Sequence, residues 1–285
     1  VPSTILNIKE YGGSTTYSGP LKDLDTAEFY KTFTYEKSGL ALKGDSGTNG
    51  YFLKIPWSSS IMADFYTSPQ QQKKTVTFRI KPFRSNESYH LFSLSGSSST
   101  GTNDLAGRDH HLMLVPHTGN DISSSGDSTQ YGELHLHQGP TFICSSSKFP
   151  VYNDDFWNIF IQANKDPDSN DAQVTFGAYQ SNFNRNISVY TTSSHTTFYK
   201  FAWGDDHRGA KQAYFGGIPE NDGANHSAEP LRYSGSLQSI NIYVGELLSD
   251  TTLKKHALEP YMYSGNSPSS SFENLVLRLP LGSND

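Results

Sequence analysis

The sequence LRYSGSLQSINIYVGELLSDTTLKKHALEP, residues 231–260, decides the fold of this chain. Residues 236–244 are rich in β-branched and aromatic side chains, with Ile240, Ile242 and Val244 spaced by two, which predicts a strand. A helix start follows, because Ser249 is a natural N-cap and Asp250 lies where the helix dipole favours an anion. Pro260 then prevents the helix from continuing. The stretch therefore predicts a strand, a tight turn and one short helix.

The rest of the chain has the pattern of an antiparallel β-protein. Between residues 29 and 260, roughly twelve to fourteen short strand-like runs are separated by clusters of Asn, Asp, Gly and Ser, as in a sandwich or jelly roll. In residues 75–82 the side chains of Val76, Phe78 and Ile80 are expected to face a core. We predict an all-β fold, a two-sheet antiparallel jelly-roll sandwich with one short helix near the C-terminal end.

Composition and charge exclude several classes of function. The formal net charge is -6 and the Lys and Arg residues are scattered, so the concentrated basic face that nucleic acid requires is not expected. No apolar run approaches the length of a transmembrane helix, which argues against membrane insertion. Cys144 is the only cysteine, so an intramolecular disulfide is impossible and a thiol-ligated metal cluster is not expected.

Four segments together carry a family resemblance. They are TVTFRIKP at 75–82, YHLFSLSG at 89–96, DFWNIFIQ at 155–162 and the closing strand, turn and helix at 234–260. Their order resembles the concanavalin A-like lectin/glucanase superfamily, and within it the laminin-G-like and pentraxin-like domains. The tail, HALEPYMYSGNSP followed by NLVLRLPLG, further resembles laminin-G-like segments in large structural proteins of tailed phages and other large DNA viruses.

The resemblance implies a division of the chain and a function. Residues 1–28 are expected to form an N-terminal arm or edge strand, and residues 29–260 a laminin-G-like, concanavalin A-like sandwich. Residues 261–285 are expected to form a connector and a strand that either returns to the sandwich or leads to another module. The implied function is that of a non-enzymatic structural protein of the virion, in a capsid-decorating, collar or tail position. Its implied partners are other virion subunits or its own copies in a homo-oligomer, together with cell-surface glycans.

Two other classes of function stay open. One is a secreted or cell-surface module for glycan binding or adhesion. The other is a glycoside hydrolase, which needs two carboxyl groups about 5 to 10 Å apart. Glucanases of the superfamily carry them as Glu-x-Asp-x-Glu, and this chain has no such run. Its nearest analogue, Glu133-Leu-His135-Leu-His137, places one carboxylate and two imidazoles on one strand face. We therefore expect no catalytic residues.

The same strand raises the question of a metal site. Alternating histidines on a strand can share one ion, but a polar strand face with Leu134 and Leu136 turned to the core is the interpretation we favour. Laminin-G and pentraxin domains often bind calcium through loop carboxylates, although Asp is also a normal turn residue. We expect no obligatory cofactor, with calcium as the alternative. The candidate metal ligands are Asp104, Asp109, Glu133, His135 and His137.

Carbohydrate binding is expected where an exposed aromatic ring lies beside amide or carboxylate acceptors. The best such cluster is WGDDHR at 203–208, and a second tryptophan stands beside three serines at 58–60. Packing of either tryptophan at a sheet edge is the alternative that we favour. The candidate glycan-binding residues are Trp203, Asp205, Asp206 and Trp57.

Overall fold

In the computed structural model the chain forms two β-sheets and a short helix. The structure describes residues 6–10, 16–19, 34–36, 39–42, 51–55, 73–96, 110–117, 130–138, 141–165, 172–181, 187–195, 211–217, 231–258, 274–279 and 281. The strands in chain order are β1 Leu6–Glu10, β2 Thr16–Gly19, β3 Thr34–Glu36, β4 Gly39–Leu42, β5 Tyr51–Ile55, β6 Lys73–Pro82, β7 Tyr89–Gly96, β8 His110–Pro116, β9 Gly132–Gln138, β10 Thr141–Ser145, β11 Trp157–Lys165, β12 Ala172–Ser181, β13 Ile187–His195, β14 Lys211–Phe215, β15 Leu231–Arg232, β16 Gly235–Val244 and β17 Leu275–Leu279. The helix is α1, Asp250–Leu258.

The two sheets divide the strands almost equally. Within the described ranges, sheet A has nine strands in the order β10-β9-β8-β7-β14-β5-β1-β2, with β15 beside β7. Sheet B has eight, in the order β13-β12-β11-β6-β16-β4-β3, with β17 beside β16. The contact of β15 with β7 is parallel, while the neighbouring strands within each path pair antiparallel. The predicted two antiparallel sheets with a short helix near the C-terminal end are confirmed.

One apolar core joins the sheets. Val76, Phe78 and Ile80 of β6 are all buried in it, as their alternation predicts. The ring of Phe78 meets two aromatic rings of sheet A, with centroids 6.5 Å from Phe92 and 5.5 Å from Phe215. The inward faces of the two sheets therefore pack on each other as a sandwich.

The stretch at 231–260 forms the predicted strand and helix. β16 lies in sheet B between β6 and β4. At its first residue, Gly235, φ is +148°, and a Cβ there would lie 2.4 Å from the carbonyl oxygen of Lys81. Just before it, the Tyr233 hydroxyl donates to the carbonyl of Ser236 at 2.8 Å. The entry into β16 thus requires a glycine, because the neighbouring strand lies too close for a side chain.

The helix begins as its sequence predicts. The Ser249 hydroxyl accepts a hydrogen bond from the Thr252 amide at 3.2 Å, which is the N-cap contact. Asp250 in the first turn forms an ion pair with Lys254 at 2.5 Å and accepts a hydrogen bond from Tyr179 of β12. These two contacts hold the pKa of Asp250 below its ordinary value, the Lys254 hydrogen bond more than the Tyr179 one.

A small second apolar cluster holds the helix on the outer face of sheet B. Leu253 and Ala257 of α1 pack there with Phe160, Tyr179 and Tyr243. Gln162, on the same face, donates to the Leu248 carbonyl at 2.8 Å and so fixes the turn before the helix. Among the described helical residues, no segment has the length and hydropathy needed to cross a membrane.

Substitution of Gly235 tests the entry into β16. We expect Gly235→Ala to lower the free energy of unfolding by at least about 3 kcal/mol, because the new methyl group meets backbone atoms at a positive φ. Urea unfolding followed by tryptophan fluorescence measures the change. Ser234→Ala, one residue earlier, is the matched control and should change stability by no more than about 0.5 kcal/mol. Equal unfolding midpoints for the two variants would contradict this account.

Burial of His256 predicts a pH dependence of stability. The imidazole lies stacked on Tyr243, with centroids 6.5 Å apart, and burial lowers its pKa from 6.5 to about 4. As pH falls from 6.5 toward 4 the unfolded chain takes up the proton before the folded chain does, so stability falls by about 3 kcal/mol over that window. Urea unfolding at a series of pH values should show this slope, and His256→Gln should flatten it. An unchanged slope in the variant would show that other groups cause it.

Candidate functional site

The outer face of sheet A carries an unusual set of polar side chains. On β9, Leu134 and Leu136 are fully buried in the core, so Glu133, His135 and His137 lie on the opposite, outer face. The structure thus places these three residues on one strand face, as their spacing predicts. Their role as metal ligands stays a prediction.

The register of the neighbouring strands extends this face. His111 of β8 lies opposite His137 of β9, and Ser93 of β7 lies opposite His111. His90 of β7 and His135 of β9 both lie opposite Met113 of β8. Four imidazoles from three adjacent strands therefore share the outer face of sheet A. We call this surface the imidazole face, formed by His90, Ser93, His111, Glu133, His135 and His137.

The inner half of the imidazole face is a buried hydrogen-bonded cluster. The Ser93 hydroxyl lies 3.0 Å from Nδ1 of His111 and 3.5 Å from Nδ1 of His90. The two rings meet edge to face, with centroids 5.3 Å apart. All three side chains are buried. A hydroxyl can donate to one imidazole and accept from the other, so Ser93 fixes the orientation of both rings.

The outer half of the face opens at the edge of sheet A. Phe142 of β10 lies opposite His137 and is 51% exposed. Its ring centroid lies 5.1 Å from that of His135 and 5.6 Å from that of His137, while the two imidazoles stack at 6.0 Å. Glu133 lies beside them, with Oε1 2.9 Å from Nε2 of His135. An aromatic surface and a carboxylate therefore meet at one partly exposed place.

The other metal and glycan candidates from the sequence lie outside the residues that the structure describes. Within the described ranges, no group of three or more His, Cys, Asp and Glu side chains has the arrangement to hold a metal ion. The loop candidates for calcium, Asp104 and Asp109, lie outside the described residues. So do the candidate glycan-binding residues Trp203, Asp205, Asp206 and Trp57, and these roles stay predictions.

Phe142 is the residue that the sequence argument missed. It belongs to a strand of five residues, too short to show a clear alternation. A signal was nevertheless present, because Gly139 and Pro140 separate β9 from β10 and such residues mark a hairpin. Pairing the two arms of that hairpin places Phe142 next to His137. The site could have been found by treating β9 and β10 as one unit.

Comparison with known proteins gives distant likenesses in structure alone. No protein-family model matches the chain, and no curated protein matches it in sequence. The enzymatically active domain of bacteriophage CBA120 tailspike protein 2 is 15% identical with a TM-score of 0.49, covering 88% of this chain and 32% of that one. The Ruminococcus gnavus IT-sialidase CBM40 is 14% identical with a TM-score of 0.43, covering 77% of this chain and 96% of that one.

Mouse laminin alpha1 chain domains LG4-5 are also similar, at 9% identity and a TM-score of 0.39, covering 83% of this chain and 48% of that one. The chain thus spans about a third of that tailspike domain and about half of the laminin pair. At these identities and TM-scores, the likenesses carry no argument about the ligand, the activity or the partners of this chain.

Proposed function

We propose that this chain is a non-catalytic glycan-binding module and that it binds sugar at the open half of the imidazole face. The observation that supports this most directly is Phe142, a half-exposed ring held against His135 and His137 at the edge of sheet A. An exposed aromatic side chain of this size at a sheet edge is otherwise a liability, because it offers a place for aggregation.

The groups around Phe142 match the chemistry of a sugar ring. The apolar face of a pyranose packs on an aromatic ring, while its hydroxyls both donate and accept hydrogen bonds. The Glu133 carboxylate is an acceptor for those hydroxyls, and the two imidazoles extend the ring surface beside Phe142. Oε1 of Glu133 lies 2.9 Å from Nε2 of His135, which places the carboxylate next to the ring surface. A few oriented polar groups beside an apolar surface are typical of small-molecule sites.

The arrangement of carboxylates supports binding without catalysis. Glycoside hydrolysis uses a pair of carboxyl groups on either side of the scissile bond. Among the described side chains of sheet A, Glu133 is the one carboxylate on the outer face. We therefore propose that the module binds its glycan without cleaving it, and that it needs no metal ion to do so.

For the biological setting we propose a structural protein of a virus particle, in a capsid-decorating, collar or tail position. The support is the sequence resemblance of residues 256–282 to segments of such proteins. In this setting the module packs with its own copies or other virion subunits and presents the imidazole face to host glycans. A secreted or cell-surface adhesion module is the alternative, and the assembly state separates the two.

Truncation of Phe142 tests the binding site. On an array of immobilised oligosaccharides, we expect Phe142→Ala to weaken binding about tenfold or more, because a central aromatic anchor contributes at least about 1.4 kcal/mol. The matched control is Phe83→Ala, since Phe83 is the other exposed large apolar residue in the described ranges, at 47%, and directly follows β6 of sheet B. Binding should survive in the control and in EDTA.

The outcome on the array also separates the two candidate regions. Retained binding in Phe142→Ala with loss in Trp203→Ala or Asp206→Ala would move the site to the loop at 203–208. Equal loss in Phe142→Ala and Phe83→Ala would mean that neither residue marks a specific site. Hydrolysis of the arrayed sugars by the wild-type chain would contradict the non-catalytic role.

Assembly state tests the virion setting. We expect light scattering coupled to size-exclusion chromatography to give the mass of an oligomer, at least two chains of 31.6 kDa each, because virion components occur in symmetric assemblies. A stable monomer that binds glycans tightly would contradict the virion role and favour the adhesion module. The glycan-binding proposal itself would stand in that case.

A further inference from the structure

We propose that the outer face of sheet B carries a second site, which binds a carboxylate group through Asn158, Arg79 and Lys81. This site lies on the other sheet from the imidazole face, so it neither requires the glycan site nor competes with it. The register of three central strands places these residues together, and the Asn158 amide lies buried beside the oriented Arg79.

The register brings the polar side chains into one row across sheet B. Asn158 of β11 lies opposite Arg79 of β6, and Arg79 in turn lies opposite Gln238 of β16. Inward-facing Trp157 and Ile80 pair with each other one residue away, which places the row on the outer face. Lys81 is two residues beyond Arg79 on β6 and so lies on the same face. A guanidinium, an ammonium and an amide therefore line one short patch.

Two of its contacts orient the Arg79 guanidinium. One is the hydrogen bond that Nη1 donates to Oε1 of Gln238. The other is the ring of Phe156, whose centroid lies 4.8 Å from the centre of the guanidinium. A planar guanidinium held against an aromatic ring keeps a fixed direction for its donors. Arg79 is thus oriented before any ligand arrives.

The Asn158 side chain is the clearest sign that a partner belongs here. It is only 8% exposed, and its Nδ2 is buried without a hydrogen-bond acceptor. A buried amide without an acceptor is costly, and such groups in folded proteins usually await a water or a ligand. The residue opposite Asn158 on β6 is Arg79, a cation that has no acceptor to offer Nδ2. The missing group at this position is therefore an acceptor.

The patch reaches solvent at its Lys81 end. Lys81 forms an ion pair with Asp154 at 3.0 Å, and the Asp154 side chain is 89% exposed. Asp154 thus pairs with Lys81 from the solvent side. No described carboxylate forms a hydrogen bond with Nδ2 of Asn158. A ligand entering from this end would exchange the exposed ion pair for contacts with all three residues. The cost of the exchange is small, because an exposed ion pair contributes little.

The donors define the chemical class of the ligand. Nδ2 of an amide, a guanidinium and an ammonium all donate, and two of the three are cationic, so the ligand presents anionic acceptor oxygens. A carboxylate fits the planar fork of Arg79. Such a carboxylate can belong to an acidic sugar or to an acylated amino acid, and the two sources are distinguished by experiment.

Two pairs of probes that differ in charge test the site. Isothermal titration of the wild-type chain with D-glucuronate and D-glucose, and with N-acetylglutamate and N-acetylglutamine, separates a carboxylate from its neutral counterpart. We expect the carboxylate member of at least one pair to bind and neither neutral member to bind. Binding of glucuronate alone identifies an acidic sugar, and binding of N-acetylglutamate alone identifies an amino-acid carboxylate. The signal should weaken with added salt.

Variants assign the binding to these residues. Asn158→Leu and Asn158→Asp should each weaken the carboxylate affinity about tenfold or more, because each removes the donor and the second also adds a repelling charge. Asn158→Leu should leave the unfolding midpoint unchanged or raised, because an amide without a partner is replaced by an apolar group. Asp154→Asn should strengthen binding severalfold by releasing Lys81. Phe142→Ala, in the imidazole face, should bind as the wild type does.

Three results would overturn the proposal. The first is the absence of carboxylate binding by the wild-type chain, which would leave a water as the partner of Asn158. The second is binding that survives in both Asn158 variants. The third is a marked loss of stability in Asn158→Leu, which would show that the amide has a structural acceptor. If the Asn158 variants fail to fold, Asp154→Asn still tests the site. Its side chain is exposed, so the variant should fold, and unchanged carboxylate affinity in it would contradict the proposal.

Discussion

The pairing of β6 with β16 is the contact on which the rest of the structure depends. It joins residues 73–82 to residues 235–244 in the middle of sheet B, so contacts on both faces of that sheet depend on closing this long loop. Inward, the pair supplies the alternating side chains that meet sheet A. Outward, the Thr75 hydroxyl of β6 donates to the carbonyl of Glu246 at 2.9 Å, which fixes the turn into the helix. The close approach of Lys81 to Gly235 sets where this pairing begins.

That pairing also separates what the sequence could predict from what it could not. The strand and helix at 231–260 follow from local signals, namely alternation, an N-cap and a proline, and they form as predicted. β16, however, contains a register shift between Gln238 and Asn241, and Ser239 there has a φ of 50°. A bulge of this kind leaves no pattern in the sequence, because it depends on how the partner strand twists. The row that joins Gln238 to Arg79 is therefore visible only in the structure.

The same distinction applies to the imidazole face. The spacing of Glu133, His135 and His137 predicts one strand face, since alternation is a property of a single strand. Neighbours from other strands depend on register, which the sequence leaves open, so Ser93 and Phe142 were found only by their pairing. The loop candidates, such as Trp203, depend on residues that the structure does not describe. Patterns within one strand were thus predictable, and of the contacts between strands only the β9–β10 hairpin left a signal in the sequence.

Burial on the outer face of sheet A decreases from the centre of the sheet to the β10 edge. Ser93 and His111 are buried at the centre of the sheet, while His135 and His137 are partly exposed, and Phe142 at the edge is the most exposed of the set. The buried hydroxyl and imidazoles orient one another and have no access to a ligand, so they act as a rigid support. β10 is a strand of five residues with a register shift between Phe142 and Cys144, and short length and bulges both protect a sheet edge from pairing with another strand. The exposed ring of Phe142 therefore lies at an edge that is poorly suited to extending the sheet, while its side chain stays accessible beside Glu133.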